Sequence, residues 1–293
     1  MTRRPYPLCA SRGLLLALLG LLVPAQAQPV PNAQAVLRAW VTPAPPQVDG
    51  RAEPELWRQP EVAVTLADGS LLFLRALHDT RRLYLLVRFP DASADRAMAM
   101  DIWDPRAERY RHPQANLDQV LLALWSEKHD VTVPGVVADL WHWDAGQRDQ
   151  MGTAEDGQIQ CSRLPLEGGL HLGDAQGYPF HALLTPDPGT APLSRQLPTE
   201  PGGQPQPRYL TQPPQGSRAD VTARGHWSQG FWVVELARDL DTGHAMDLPL
   251  AMDARPLLTP ALTLADLLSR GAGILEGDIT GSVVLILETR AAP

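Results

Sequence analysis

Residues 73–91 read FLRALHDTRRLYLLVRFPD. Two apolar runs of strand length, 71–77 (LLFLRAL) and 83–89 (LYLLVRF), flank the polar segment His78-Asp79-Thr80-Arg81-Arg82. That length and composition specify a β-hairpin. Outward from it the same signal recurs. Residues 61–66 (EVAVTL) alternate apolar and polar, and 120–125 (VLLALW), 135–143 (GVVADLWHW), 231–236 (FWVVEL) and 282–287 (SVVLIL) are further runs of strand length. Helix signal is confined to 262–269 (LTLADLLS), with Gly271 as its stop. Many short strands separated by turn signals predict an all-β chain, an antiparallel β-sandwich with long loop insertions and little helix.

The N-terminus has a different character. Arg3, Arg4 and Arg12 precede an apolar core of nine residues, 14–22 (LLLALLGLL), and Ala25-Gln26-Ala27 supplies small residues for a peptidase. This three-part pattern predicts a signal peptide over 1–27, and Arg3-Arg4 also matches a twin-arginine signal loosely. The apolar run is shorter than the roughly 20 residues a bilayer span needs. Cys9 leaves with the peptide, so Cys161 stays alone and the fold must hold without an internal disulfide. Cleavage leaves 22 basic against 33 acidic residues, a formal charge of −11. Such a charge opposes nucleic acid and anionic lipid as partners and suits a periplasmic or secreted protein. Residues 28–47, rich in Pro, Ala and Gln, read as a linker, and 48–290 as one sandwich domain. Within it, 183–218 is a Pro- and Gly-rich insertion with too little apolar surface to offset its ordering entropy.

Enzyme signatures are missing. The sequence has no Cys-x-x-Cys-His, no Gly-x-Ser-x-Gly, no His-Glu-x-x-His, no P-loop and no dinucleotide fingerprint. Acid pairs such as Glu155 and Asp156 read as solvated loop residues. Among eight histidines and five internal methionines, Trp141-His142-Trp143 stands out. On a strand both indoles face one way and the imidazole the other. The pair is either core or a flat aromatic wall beside a planar cofactor. Met98 and Met100 would likewise share a face if extended. Of Trp141, Trp143, Trp227 and Trp232, at least three are expected to be buried.

These blocks resemble a known family. Val48-Asp49-Gly50 with Glu55-Leu56-Trp57, the hairpin 73–91, residues 138–143 (ADLWHW) and 223–243 (ARGHWSQGFWVVELARDLDTG) are similar, in order, to the haem-binding gamma subunit of ethylbenzene dehydrogenase and its relatives. These are partners of periplasmic type II dimethyl sulfoxide reductase-like molybdenum enzymes. The resemblance implies a sandwich holding one b-type haem non-covalently. It implies electron transfer from molybdenum and iron–sulfur subunits to a soluble redox partner, by a subunit not catalytic by itself. The family's axial ligands are a methionine and a lysine. Their places fall near Leu124 and Asp278 here, and Lys128 is the only lysine. The candidates for the haem iron are therefore His142 and Met98, with Met100 as a further thioether and Trp141 and Trp143 as pocket walls. The alternative is a haem-free binding module on the same sandwich, for carbohydrate or a partner protein. N-terminal sequencing of exported protein should begin at Gln28; a mature form that keeps Met1 excludes the signal-peptide reading.

Overall fold

The structure is a computed structural model that describes residues 35–113, 117–126, 134–174, 176–198 and 202–292. The expected signal peptide and Lys128 lie outside them. The chain opens with β1 (Val36–Val41), β2 (Val62–Thr65), β3 (Leu71–His78) and β4 (Arg82–Pro90). Next come β5 (Met100–Asp104), β6 (Arg109–Arg111), β7 (Gln119–Trp125), β8 (Val136–Asp144) and helix α1 (Gln147–Met151). β9 (Glu155–Ser162), β10 (Leu170–Gly173) and β11 (Pro179–Pro186) lead into the insertion. There the strands shrink to β12 (Gly189–Thr190), β13 (Leu193–Arg195), β14 (Gln206–Pro207), β15 (Tyr209–Thr211) and β16 (Gln215–Gly216), with a 3-10 turn at Ser217–Ala219. β17 (Thr222–Ser228), β18 (Phe231–Asp239), β19 (Leu257–Ala261), helix α2 (Leu264–Ile274) and β20 (Val283–Leu287) complete it.

One large sheet runs β10-β11-β9-β8-β7-β19-β20-β1-β3-β4-β18-β17, with β2 beside β3. It doubles over on itself. Leu72 and Leu74 of β3, Leu85 and Val87 of β4 and Trp232, Val234 and Leu236 of β18 share one buried cluster with Val120, Leu122 and Leu124 of β7 and Trp141 and Trp143 of β8. The two halves thus face each other as the layers of a sandwich, with alternate residues of each strand inside. A Thr153–Thr222 bridge ties the edge strand β17 back to the segment before β9. Among the described residues no helix is long and apolar enough to cross a membrane.

The all-β sandwich agrees with the sequence pattern, and the differences have physical causes. β1 lies inside the segment read as a linker and sits centrally, parallel to both β20 and β3. Parallel neighbours need a long crossover, which residues 42–70 supply. β9 carries no apolar run (EDGQIQCS), because only Ile159 and Cys161 face the apolar layer under α2. Glu155 and Asp156 therefore lie in a strand and not in a solvated loop. The insertion is pinned by backbone pairing of Gln206 and Pro207 to Asp101 and Met100.

Helix α2 starts at its N-cap Thr263, whose side chain accepts from Asp266 N, and continues past Gly271 to Ile274. Gly271 is a packing residue: a Cβ there would lie 2.6 Å from Cys161 Sγ. The helix covers the outer face of β7–β9 through Leu267, Leu268 and Ala272. Gly271→Ala should gain about 1 kcal/mol of helix propensity and lose about 1–3 kcal/mol to overpacking. Urea unfolding should therefore show net destabilisation. Adding Cys161→Ala should couple to it by about 0.5–3 kcal/mol; additive effects would place the helix further from the sheet.

Candidate functional site

β8 alternates as its sequence requires. Trp141 and Trp143 point into the core and are wholly buried. Trp143 meets Trp232 edge-on, with ring centroids 5.2 Å apart at 69°. Trp143 Nε1 donates to Asp149 at 3.1 Å, and Trp232 Nε1 to Asp118 at 2.7 Å. Trp227 is half-buried and donates to the Asp91 carbonyl. Three of the four tryptophans are thus core residues. Trp141 differs: its Nε1 is buried without a partner, and the Arg238 guanidinium lies 4.9 Å over its ring.

His142 faces the other way. It is half-buried, and its Nε2 is 2.9 Å from Gln119 Oε1. Burial, then the positive charge of Arg148, pushes its pKa down to about 3, so the imidazole is neutral at physiological pH. Met98 is 40% exposed in the segment before β5. Met100 is half-buried on β5, in a separate small sheet with β6 and β14. The fold brings Trp141 and Trp143 to one face, turns His142 to the opposite face, and puts Met100 in another sheet.

The positions the resemblance marks for axial ligands are equally plain. Leu124 has 0% exposure and lies in the inner cluster. Asp278 is in the turn after α2, where its carboxylate accepts from Thr280 N at 2.9 Å. Among the described residues no methionine is buried, and His78 is the one buried histidine. His78, buried at the end of β3, has both ring nitrogens engaged, by the Glu288 carbonyl at 2.7 Å and by Thr80 N at 3.3 Å. The described residues therefore do not fit an axially ligated haem between the layers.

Beside Trp141 the inner face turns polar. Arg238 of β18 crosses to β8, where it donates to Asp139; its other amino group donates to the Leu248 carbonyl at 2.6 Å. Leu248 N donates back to Asp139 at 3.0 Å. Asp156 stands beside Trp141 in the β8–β9 register and accepts from Gly157 N at 3.1 Å. Asp187 and Asp247 both lie within hydrogen-bond distance of Ser217 Oγ, whose single proton serves one of them at a time, and Asp247 also accepts from Thr242 at 2.5 Å. One carboxylate oxygen from each of Asp156, Asp187 and Asp247 lies within 4.8 Å of the others. Burial, then the negative charge of Asp139, pushes Asp156 up to about 10. Burial, then the contact with Asp247, pushes Asp187 up to about 6. Asp247 is also buried, but its contact with Asp187 and the hydrogen bond from Thr242 outweigh that and hold it low.

From the sequence Asp156 reads as a solvated loop residue, and Asp139, Asp187 and Asp247 are not singled out. Asp139 and Arg238 stand inside the blocks ADLWHW and ARGHWSQGFWVVELARDLDTG, so a signal existed for them. Asp156, Asp187 and Asp247 are far apart in sequence and meet only in the fold. Removing one partner of the buried Arg238–Asp139 pair leaves a stranded charge, so Arg238→Met should cost about 3–5 kcal/mol in urea unfolding. Adding Asp139→Asn should recover part of it. A cost below about 1 kcal/mol would mean that Asp139 needs no partner.

The family model described as ethylbenzene dehydrogenase matches residues 99–255, more than half of the 293 residues. No curated protein matches the chain. The match takes in β8, the insertion, β18 and every acid of the polar end. The chain belongs to the ethylbenzene dehydrogenase family.

Proposed function

We propose that this chain is a non-catalytic accessory subunit of a multi-subunit oxidoreductase, working outside the cytoplasm as a haem-free docking module for molybdenum and iron–sulfur partner subunits. The observation that carries the haem-free part is Leu124. It is fully buried in one cluster with Leu122, Leu258 and Trp141, near the place where the resemblance puts a methionine ligand. A leucine there offers the iron no lone pair. Family membership supports the partner class, and the leader 1–27 supports the compartment.

A second reading is a b-haem electron carrier. His142 favours it, because a neutral imidazole is the form that ligates iron, and family membership is compatible with haem b. In that reading His142 is an axial ligand, and Met98 or Met100 the other.

The visible spectrum of protein exported from haem-supplemented cells separates the two. The accessory reading expects no Soret band and no reducible α and β bands. A stoichiometric Soret band replaces it with the carrier reading. His142→Ala and the double change Met98→Ala, Met100→Ala then identify the ligands by loss or displacement of that band.

A further inference from the structure

We propose that Asp156, Asp187 and Asp247 form a calcium site that fastens both ends of the Pro- and Gly-rich insertion to the sheet. Three observations carry it. First, the acids are buried to a degree that surface carboxylates never reach, with 0% exposure for Asp156, 3% for Asp187 and 7% for Asp247. Second, Asp156 Oδ2 and Asp187 Oδ1 are buried with no hydrogen-bond partner. A buried carboxylate oxygen without a donor is costly. Third, these carboxylates converge, and two ligands of one calcium at 2.3–2.6 Å can stand no more than about 5 Å apart. One oxygen from each of the three acids lies within 4.8 Å of the others, which meets this condition.

The chain supplies too little positive charge of its own. Asp139, Asp156, Asp187 and Asp247 are all buried at this end of the sandwich. Arg238 is the buried cation among them, and its ion pair goes to Asp139. Nearby Arg218 is spent on Glu155, Arg148 on Asp144 and Glu155, and His244 on Asp220. Among the described residues no arginine or histidine pairs with Asp156, Asp187 or Asp247. Two hydroxyls, Ser217 Oγ and Thr242 Oγ1, serve Asp187 and Asp247. Either protons or a cation must neutralise the rest.

The donor set chooses the cation. It is oxygen throughout: three carboxylates converge, and the Ser217 and Thr242 hydroxyls are hydrogen-bonded to two of them. Hard oxygen ligands in a protein-enclosed pocket suit calcium, which takes six to eight of them in a flexible shell. Magnesium demands a near-ideal octahedron and keeps several waters. A neighbouring group, Asp220, His244 and Asp247, shares one acid, but Asp220 and His244 pair with each other at 2.6 Å and leave no orphaned oxygen. The ligands also explain a role. Asp156 is on β9, Asp187 follows β11 at the start of the insertion, Ser217 ends it, and Asp247 is in the loop after β18. An ion there joins both ends of the insertion to β9 and to the loop after β18.

Calcium is measured in two ways in the mature full-length chain: by elemental analysis as purified, and by calorimetric titration with CaCl2 after stripping with EGTA. The site predicts about one ion per chain and a Tm that rises with CaCl2 concentration. Asp156→Asn and, separately, Asp187→Asn should weaken calcium binding more than ~10-fold and flatten the Tm response. In EGTA both should melt no lower than wild type, since each removes a charge from an uncompensated cluster. Wild type that holds no calcium in either measurement overturns the proposal, and protons then neutralise the acids. Uptake of zinc or magnesium in place of calcium overturns it too, as does wild-type calcium affinity in the variants. If the variants do not fold, the wild-type stoichiometry decides.

Discussion

Arg238 spans the two layers of the sandwich, and much of the molecule is arranged around that fact. Its guanidinium is wholly buried, covers Trp141 and meets Asp139 on the facing strand. A charge taken that far from water needs both a counter-charge and hydrogen bonds for its remaining donors. Asp139 supplies the first, and the carbonyls of Leu248 and Asp239 the second. The loop after β18 is thereby drawn over this end of the sandwich. Once it is there, Asp247 is carried next to Asp156 and Asp187, and a polar pocket forms where the strand pattern alone would continue the apolar core. The ion pair specifies which strands face each other; an apolar pair of equal volume could match its stability.

The blocks that link this chain to its family are scaffold blocks. Gly50 of the opening block donates to Glu235 of the last block at 2.8 Å, and Trp57 Nε1 donates to the same carboxylate at 2.8 Å. Gly50 has φ 78°, and a Cβ there would lie 2.6 Å from His226 N, so the turn demands glycine. Trp141 of the ADLWHW block lies under Arg238. Gly50 and Trp57 fasten the opening segment to the outer face of β18, and Trp141 with Arg238 joins the layers.

What the sequence determined by itself is what period two determines. Apolar runs of strand length placed β3, β4, β7, β8 and β18, and period two sent Trp141 and Trp143 to one face and His142 to the other, because a strand allows its side chains only two directions. The tertiary structure decided what depends on partners distant in the chain. β1 became a central parallel strand because its neighbours β3 and β20 come from both ends of the domain. β9 formed on a polar sequence because β8 and β11 complete its hydrogen bonds on both sides. Gly271 became a contact because α2 rests on Cys161, a residue more than a hundred positions away. Asp156, Asp187 and Asp247 look in sequence like any surface acids. Only the closing of the sheet and the return of the insertion take their carboxylates out of water and set them against one another, since burial and mutual charge arise from spatial neighbours and not from local pattern.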